Sequence, residues 1–302
     1  MNISLTGSSG FVGKNLINYL KQFQIEVKSV ARNAVFKGDL SLLDNIDVLI
    51  HLAGKAHDLK STINSNQYYI VNTELSIDIF DAFLASEVKV FIYLSSIKAV
   101  ADHTNDELTE NHVHNPITHY GKSKLLADQY ILSKDIPQGK RVYILRPCMI
   151  HGPGNKGNLN LLYNIVTKGF PWPLGQFDNI RSYVSIENLC FIIKELLDRE
   201  DIPSGVYSVA DDIPLSTNEV IKIIAESRRK KVRILNLSKN LIKVLARVGD
   251  LLKLPLNSER LQKLTESYIV SNAKIKEALG KQLPVSSKEG LIITFQSFSD
   301  NA

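Results

Sequence analysis

Apolar residues recur along this chain with two different periods. Short apolar runs at 2–6, 25–31, 47–51, 89–95, 141–146 and 205–209 have the length of strands, and stretches at 11–22, 66–86 and 119–134 carry helical spacing. The helical stripes are Val12, Leu16, Ile17 and Leu20 in the first stretch, and Ile70, Ile77, Phe80 and Leu84 in the second. Leu125, Leu126, Gln129 and Tyr130 mark the third. Strands that alternate with helices predict a parallel α/β sheet. From about residue 151 the pattern changes: 151–157 reads as a loop, 169–178 with two prolines as another, and 216–302 as helices with short strands. The expected division is a sheet domain at 1–150 and 183–209, and a smaller, discontinuous domain at 151–182 and 210–302.

Chemistry enters at the first strand–helix junction, Ile3-Ser-Leu-Thr-Gly-Ser-Ser-Gly-Phe-Val-Gly-Lys-Asn-Leu16. Gly7, Gly10 and Gly13 stand three apart between the strand and the helix. A strand, a glycine turn and a helix in that order place backbone N–H groups and a helix N-terminus where a pyrophosphate can bind. Gly7 permits the tight turn, Gly10 lets phosphates approach the backbone, and Gly13 lets the helix lie close on the strand. The junction predicts a dinucleotide-binding, doubly wound sheet of the Rossmann type. Further along, Tyr120-Gly-Lys-Ser-Lys124 places a tyrosine and a lysine four apart on a helix, where both can reach one ligand.

Composition excludes several classes. A chain of 302 residues with 44% hydrophobic and 22% charged residues is ordinary for a globular protein and long enough to bury a sizeable core. No apolar run approaches the roughly 20 residues that span a bilayer, and Met1 leads straight into the first strand, so the expectation is a cytoplasmic protein without stable membrane insertion. Cys148 and Cys190 make neither a disulfide framework nor a metal spacing. His103, His112, His114 and His119 lie in a polar loop without metalloprotease-type spacing, and no metal is expected. The net charge of +5 suits an anionic ligand, while the run 228–233 reads as a solvated helix-to-strand corner, with no nucleic-acid partner expected. Residues 241–252 form a basic amphipathic pattern, read as packing on the smaller domain, with peripheral membrane contact as the other reading.

The Gly-x-x-Gly-x-x-Gly spacing after Thr6, with the Tyr-x-x-x-Lys pair, resembles the short-chain dehydrogenase/reductase superfamily. Nearly the whole chain resembles its extended branch, the epimerase/dehydratase-type enzymes that act on nucleotide sugars. That resemblance implies cofactor contacts from Gly7, Gly10, Phe11, Val12 and Gly13. It adds the adenine-contacting pair Asp39 and Leu40, the strand-end loop Leu52, Ala53 and Gly54, the helical Asn72, and Pro147 after Arg146. It implies Ser96, Tyr120 and Lys124 as catalytic, with Tyr120 and Lys124 also against the cofactor, and a homodimer through the helices containing Asn72 and Tyr120. Lys98, Asn158 and Arg181 are the substrate-side candidates, Arg181 as a diphosphate-binding arginine. Arg260 is a weak candidate for the second arginine of that kind, which has no clear match. In this scheme Lys124 and an oxidised nicotinamide draw the Tyr120 phenol, of ordinary pKa about 10, into working range, and Ser96 fixes the reacting oxygen.

Departures from the family pattern narrow the reaction. Where 4,6-dehydratases carry Asp and Glu after the catalytic residue, this chain has Ile97 and Lys98, and isoleucine cannot protonate a leaving hydroxide. At the end of the second strand Ala31-Arg32 replaces the acidic residue of NAD-preferring members. A missing carboxylate and an added guanidinium favour a 2′-phosphate, so NADP(H) is expected ahead of NAD(H). Two enzymatic readings follow: a reductase for a 4-keto-6-deoxy sugar nucleotide of the UDP-N-acetylhexosamine class, which an exchangeable NADP(H) favours, and a UDP-glucose or UDP-N-acetylglucosamine 4-epimerase. A non-catalytic dinucleotide sensor on the same fold is the third, disfavoured because Ser96, Tyr120 and Lys124 are all intact. Replacing Ala31 by Asp together with Arg32 by Asn is expected to shift preference towards NADH, read by titrating both variants with NADPH and NADH; an unchanged ratio would remove the argument from these two positions.

Overall fold

The computed structural model describes residues 1–30, 43–55, 64–104, 106–155, 157–252 and 257–298. Ala31, Arg32, Asp39 and Leu40 lie outside the described residues. Among the described residues six strands form one parallel sheet: β1 (Ile3–Thr6), β2 (Val27–Val30), β3 (Val48–His51), β4 (Val90–Leu94), β5 (Arg141–Pro147) and, after two strands described below, β8 (Gly205–Val209). Their order is β2-β1-β3-β4-β5-β8. The order reverses at β1, so the crevice for a ligand opens at its C-terminal end.

Strands β3, β4 and β5 are apolar at consecutive positions because both faces of the sheet are covered, while β1 alternates Ile3 and Leu5 with the buried Ser4 and Thr6. Ile3, Leu5, Val48, Ile50, Val90, Ile92, Tyr143 and Leu145 point to one side, into a core shared with helix α1 (Phe11–Lys21). Leu49, Phe91, Tyr93, Val142 and Ile144 point to the other, against the helical segment 66–85, called α2, and helix α3 (His119–Leu132). The period of two along each strand thus becomes two cores on opposite faces. The six sheet strands lie within or one residue beyond the apolar runs read from the sequence.

The second predicted helix is not uniform. It runs as an α-helical turn Asn66–Tyr69, a π-helical turn Ile70–Glu74 and an α-helix Leu75–Ala85. The wide turn shifts the phase of the helix. Val71, Leu75, Ile79, Phe80 and Phe83 are buried, whereas Ile70 of the expected stripe is exposed and Ile77 and Leu84 are only half-buried. In α3 the apolar pattern also misleads: Leu126 is exposed, while Ser123, Lys124 and Asp128 are buried. Met149–His151 (β6) and Tyr183–Ser185 (β7) pair in parallel as a small separate sheet that the sequence pattern did not announce. The expected short strands beyond 216 appear only as isolated bridges, among them Trp172 with Ile234 and Arg181 with Tyr268.

A third core gathers residues from helices α4 (Asn158–Thr167), α6 (Thr217–Ser227), α7 (Lys239–Leu252), α8 (Ser258–Thr265) and α10 (Ser287–Ser297), with Trp172, Leu174, Phe177 and Tyr183. Helix α5 (Ile186–Asp198) returns to the first face of the large sheet, as do Tyr268, Val270 and helix α9 (Ala273–Leu279). Among the described residues no helix is long and apolar enough to cross a membrane, and no cluster of side chains could hold a metal ion.

His51 is the last residue of β3 and fully buried. Its Nδ1 meets the Thr6 hydroxyl at 2.7 Å and its Nε2 the Ser76 hydroxyl at 2.9 Å, with the ring stacked on Tyr93. Burial, with the Lys124 charge adding, lowers its pKa from 6.5 to about 3. The unfolded chain therefore takes up a proton that the folded chain refuses, and stability is lost as pH falls through the window from 6.5 to about 3. Between pH 7 and pH 4 the wild type is expected to lose about 3 kcal/mol more than His51→Asn. Urea unfolding at both pH values checks this, and parallel losses would overturn the assignment.

Candidate active site

The glycine junction is built by close approach. Gly7 has φ +76°, and a Cβ there would lie 2.6 Å from the Ala53 nitrogen and 2.7 Å from the Leu52 carbonyl carbon. A Cβ on Gly13 would lie 2.4 Å from the Gly7 oxygen and 2.7 Å from the Ser8 Cα. Gly10 N–H donates to the Gly7 oxygen at 3.0 Å and Gly10 begins α1 with no side-chain cap. First-turn N–H groups of an uncapped helix have no intrahelical acceptor. Gly7, Gly10, Phe11, Val12 and Gly13 line a cleft of about 350 Å³. A phosphate-sized anion fits such a cradle, whose close backbone approaches leave no room for side chains at Gly7 and Gly13.

The same cleft is floored by Ser96, Tyr120 and Lys124, and Leu52, Gly54 and Pro147 also line it. Lys55, Leu94, Ser95, Cys148 and Ile150 join them, though the sequence reading had not assigned them to the site. Ser96 follows β4 and caps the short 3₁₀ turn Ile97–Ala99, its hydroxyl accepting from the Lys98 N–H at 3.2 Å. Tyr120 lies in the first turn of α3, whose N-cap is Thr118. That start is fixed by Asp102, which accepts from the backbone of Ile117 at 2.7 Å and of Thr118 at 2.8 Å and from the Thr118 hydroxyl at 3.0 Å.

Lys124 is buried, and its Nζ donates to the Leu94 carbonyl at 2.9 Å and to the Tyr93 hydroxyl at 3.3 Å, and sits 4.7 Å from the centre of the Tyr93 ring. Burial lowers its pKa from 10.5 to about 8, against the opposing charge of Asp128 one turn on. Asp128 is itself fully buried and bonded to Arg146 Nε at 2.8 Å. Asp128 stands four residues after Lys124, a spacing that could have been read from the sequence. Burial raises the Tyr120 phenol pKa, with the Ser96 hydrogen bond acting against it and the Asp128 charge reinforcing it.

Asn72 sits in the π turn, where its Oδ1 accepts from the Lys55 N–H at 2.7 Å and its Nδ2 donates to the Lys55 carbonyl at 3.1 Å and to the Ser123 hydroxyl at 3.1 Å. One amide thereby ties the loop after β3 to the helix that carries Tyr120 and Lys124. Ala53 N–H donates to the Thr6 hydroxyl at 3.3 Å, joining that loop to β1 as well.

The three substrate-side candidates do not line the cleft. Lys98 donates to the Asp102 carbonyl at 2.8 Å and lies 4.3 Å from the centre of the Tyr268 ring, and burial, with the charges of Arg181 and Lys263 adding, lowers its pKa. Arg181 bridges Leu215 and Tyr268 through its backbone and donates to the Lys263 carbonyl. Asn158 is exposed at the first turn of α4.

Fold and cleft together define a dinucleotide-binding enzyme of the short-chain dehydrogenase/reductase type. The chain belongs to the NAD dependent epimerase/dehydratase family, whose model matches residues 3–210. It is 33% identical over 320 residues to the UDP-glucose 4-epimerase of Vibrio cholerae, covering 98% of this chain and 95% of that protein. To the N-acetyl-alpha-D-glucosaminyl-diphospho-ditrans,octacis-undecaprenol 4-epimerase of Escherichia coli O157:H7 it is 28% identical over 246 residues, covering 76% and 73%. Among solved structures the fold matches MoeE5 in complex with UDP-glucuronic acid and NAD with a TM-score of 0.77, at 18% identity and 100% of both chains. It matches RMD from Pseudomonas aeruginosa complexed with NADPH at 0.74, with 20% identity, over 100% of this chain and 99% of that one.

The contacts at Gly13 are with backbone atoms that cannot swing aside. Gly13→Ala is expected to cost about 1–3 kcal/mol of stability by overpacking and to weaken dinucleotide binding at least about tenfold. Thermal unfolding with and without NADPH reads both effects, and an undiminished shift by the nucleotide would show that the cradle is not the phosphate site.

Proposed function

We propose that the protein catalyses NAD(P)-dependent oxidoreduction at C4 of a nucleotide sugar of the UDP-N-acetylhexosamine class, for surface polysaccharide synthesis. The favoured direction is reduction of a 4-keto-6-deoxy sugar. The observation that carries this reading is the meeting of Ser96, Tyr120 and Lys124 in the cleft that the glycine junction lines, with the Tyr120 phenol hydrogen-bonded to Ser96. A protonated phenol is equipped to give its proton to the C4 oxygen as that oxygen becomes an alkoxide. Ser96 positions the same oxygen, and the Lys124 ammonium supplies the positive charge that favours the phenolate left behind. The nicotinamide, when bound, supplies the hydride to carbon. Gly7, Gly10, Phe11, Val12 and Gly13 would hold its pyrophosphate, with Leu52, Ala53, Gly54, Asn72 and Pro147 around the rest.

On the substrate side, Lys98, Arg181 and Lys263 lie near enough for their charges to act on one another, and we assign the sugar-nucleotide diphosphate to that cationic neighbourhood, with Asn158 at its edge. NADP(H) remains the favoured cofactor on the strength of Ala31-Arg32, and the likeness to an NADPH complex supports a fold able to take it. A homodimer through α2 and α3 accords with the exposed Ile70, Leu126 and Leu132 on those helices. The second reading, a 4-epimerase, is favoured by the similarity to the Vibrio cholerae enzyme along almost the entire chain.

One experiment separates the two readings. Purified protein given UDP-4-keto-6-deoxy-N-acetylglucosamine and NADPH is expected to consume one NADPH per sugar, and Tyr120→Phe to lower turnover about 10²–10⁴-fold with NADPH binding retained. Conversion of UDP-glucose or UDP-N-acetylglucosamine to its C4 epimer without consumption of added cofactor, and no reduction of the keto sugar, would replace the reductase with the epimerase. Near-normal turnover by Tyr120→Phe would remove the proton-transfer assignment from both.

A further inference from the structure

Helix α7 presents one apolar face more than its packing uses. Ile242, Ala246 and Gly249 are buried, Ile242 and Ala246 within the third core, where the adjoining α8 adds Leu261. On another side Leu241, Val244, Leu245 and Val248 are 48%, 54%, 46% and 43% exposed, and Leu251 and Leu252 continue the stripe into the next turn. Their spacing of three, four and seven places them within one arc of about 120° on a 3.6-residue helix. Surface helices of globular proteins turn polar residues to that side.

A line of cations runs on the side of the helix turned away from the stripe, with Arg247 bordering it and the Lys239 ammonium 5.8 Å from the centre of the Phe177 ring. Lys239, Lys243 and Arg247 stand four apart and are all exposed. Lys243 and Arg247 have no ion-pair partner among the described residues. The one carboxylate of the helix, Asp250, is engaged by Ser258, accepting from its N–H at 2.9 Å and from its hydroxyl. The exposed surface of α7 is therefore aliphatic on one side and cationic on the side away from it, on a chain of net charge +5.

We propose that α7 docks this protein on an anionic lipid bilayer, with Leu241, Val244, Leu245 and Val248 entering the headgroup–acyl boundary and Arg247, with Lys243 and Lys239 on the polar side, drawing anionic headgroups to the helix. Long basic side chains on the polar side of a helix with an aliphatic stripe suit that boundary, because the stems stay apolar while the charged ends find phosphate. A second copy of the chain fits less well. The stripe holds only Leu and Val, without the aromatic or arginine anchors on which protein interfaces concentrate their energy.

The test is co-sedimentation of the full chain with vesicles of phosphatidylcholine alone or mixed with phosphatidylglycerol, at low and at high salt. Binding is expected only to the phosphatidylglycerol vesicles and is expected to weaken with salt. The triple variant Lys239→Gln, Lys243→Gln, Arg247→Gln should bind on the order of a hundredfold more weakly, and Val244→Ser with Leu245→Ser should abolish sedimentation. Unchanged NADPH binding and thermal unfolding serve as the folding control, and the charge variant stands alone should the apolar one unfold. No binding by the wild type at low salt overturns the proposal, as does binding that the charge variant leaves unchanged. Absence of vesicle binding, with an oligomer that Val244→Ser and Leu245→Ser dissociate, would assign the stripe to contact between copies instead.

Discussion

The arrangement of the cleft turns on one buried cation. An ammonium removed from water is costly unless every donor finds an acceptor and an opposite charge lies near. At Lys124 the Leu94 carbonyl, the Tyr93 hydroxyl and ring, and the Asp128 carboxylate meet those demands together. They come from the end of β4 and from the next turn of α3, so the lysine can be held only when α3 lies against the C-terminal edge of the sheet. Asp128 is in turn buried against Arg146 on β5. The chain of compensations thus reaches across two strands, and the depressed pKa of Lys124 reports how incompletely burial is offset.

Close backbone approach does for the other side of the cleft what charge compensation does for its floor. Gly7 lies against the chain at Leu52–Ala53, and Gly13 against Gly7 itself, so β1, α1 and the loop after β3 meet without intervening side chains. Asn72 completes the frame by bonding both backbone groups of Lys55 and the hydroxyl of Ser123. The π turn that carries Asn72 is the local irregularity that makes this possible, since an even α-helix would rotate the following residues into a different phase. Irregular helical turns of this kind cluster where side chains must meet a ligand or a neighbouring loop.

Family membership and site chemistry bear on different questions. Resemblance along nearly the whole chain identifies the family and brings epimerases to the fore. Local chemistry bears on the reaction itself: Ile97 stands where the resemblance to dehydratases would require an acid, and Ser96, Tyr120 and Lys124 share one cleft. The comparisons give the nucleotide-sugar epimerase and reductase family, and the cleft gives the residues that would move a proton.

The strands of the sheet and the glycine cradle were legible in the sequence because each follows from short-range rules. Apolar runs of four to seven residues make buried strands, and glycines at fixed spacing after the first of them make the phosphate turn. Tyr120 and Lys124 were legible for the same reason, since four residues on a helix fix their common face. What required the tertiary structure depended on partners distant in the chain. The burial of Lys124, which sets its charge, comes from Tyr93 and Leu94 some thirty residues earlier. The rise in the Tyr120 pKa comes from enclosure, which no local pattern encodes. Polar residues of α3 lie inside while Leu126 lies outside, because the site claims the inner face of that helix and apolar periodicity cannot report it. The pairing of β6 with β7 and the inward face of α7 were likewise decided by packing, for a helix with two apolar sides does not announce in its sequence which one the core will take.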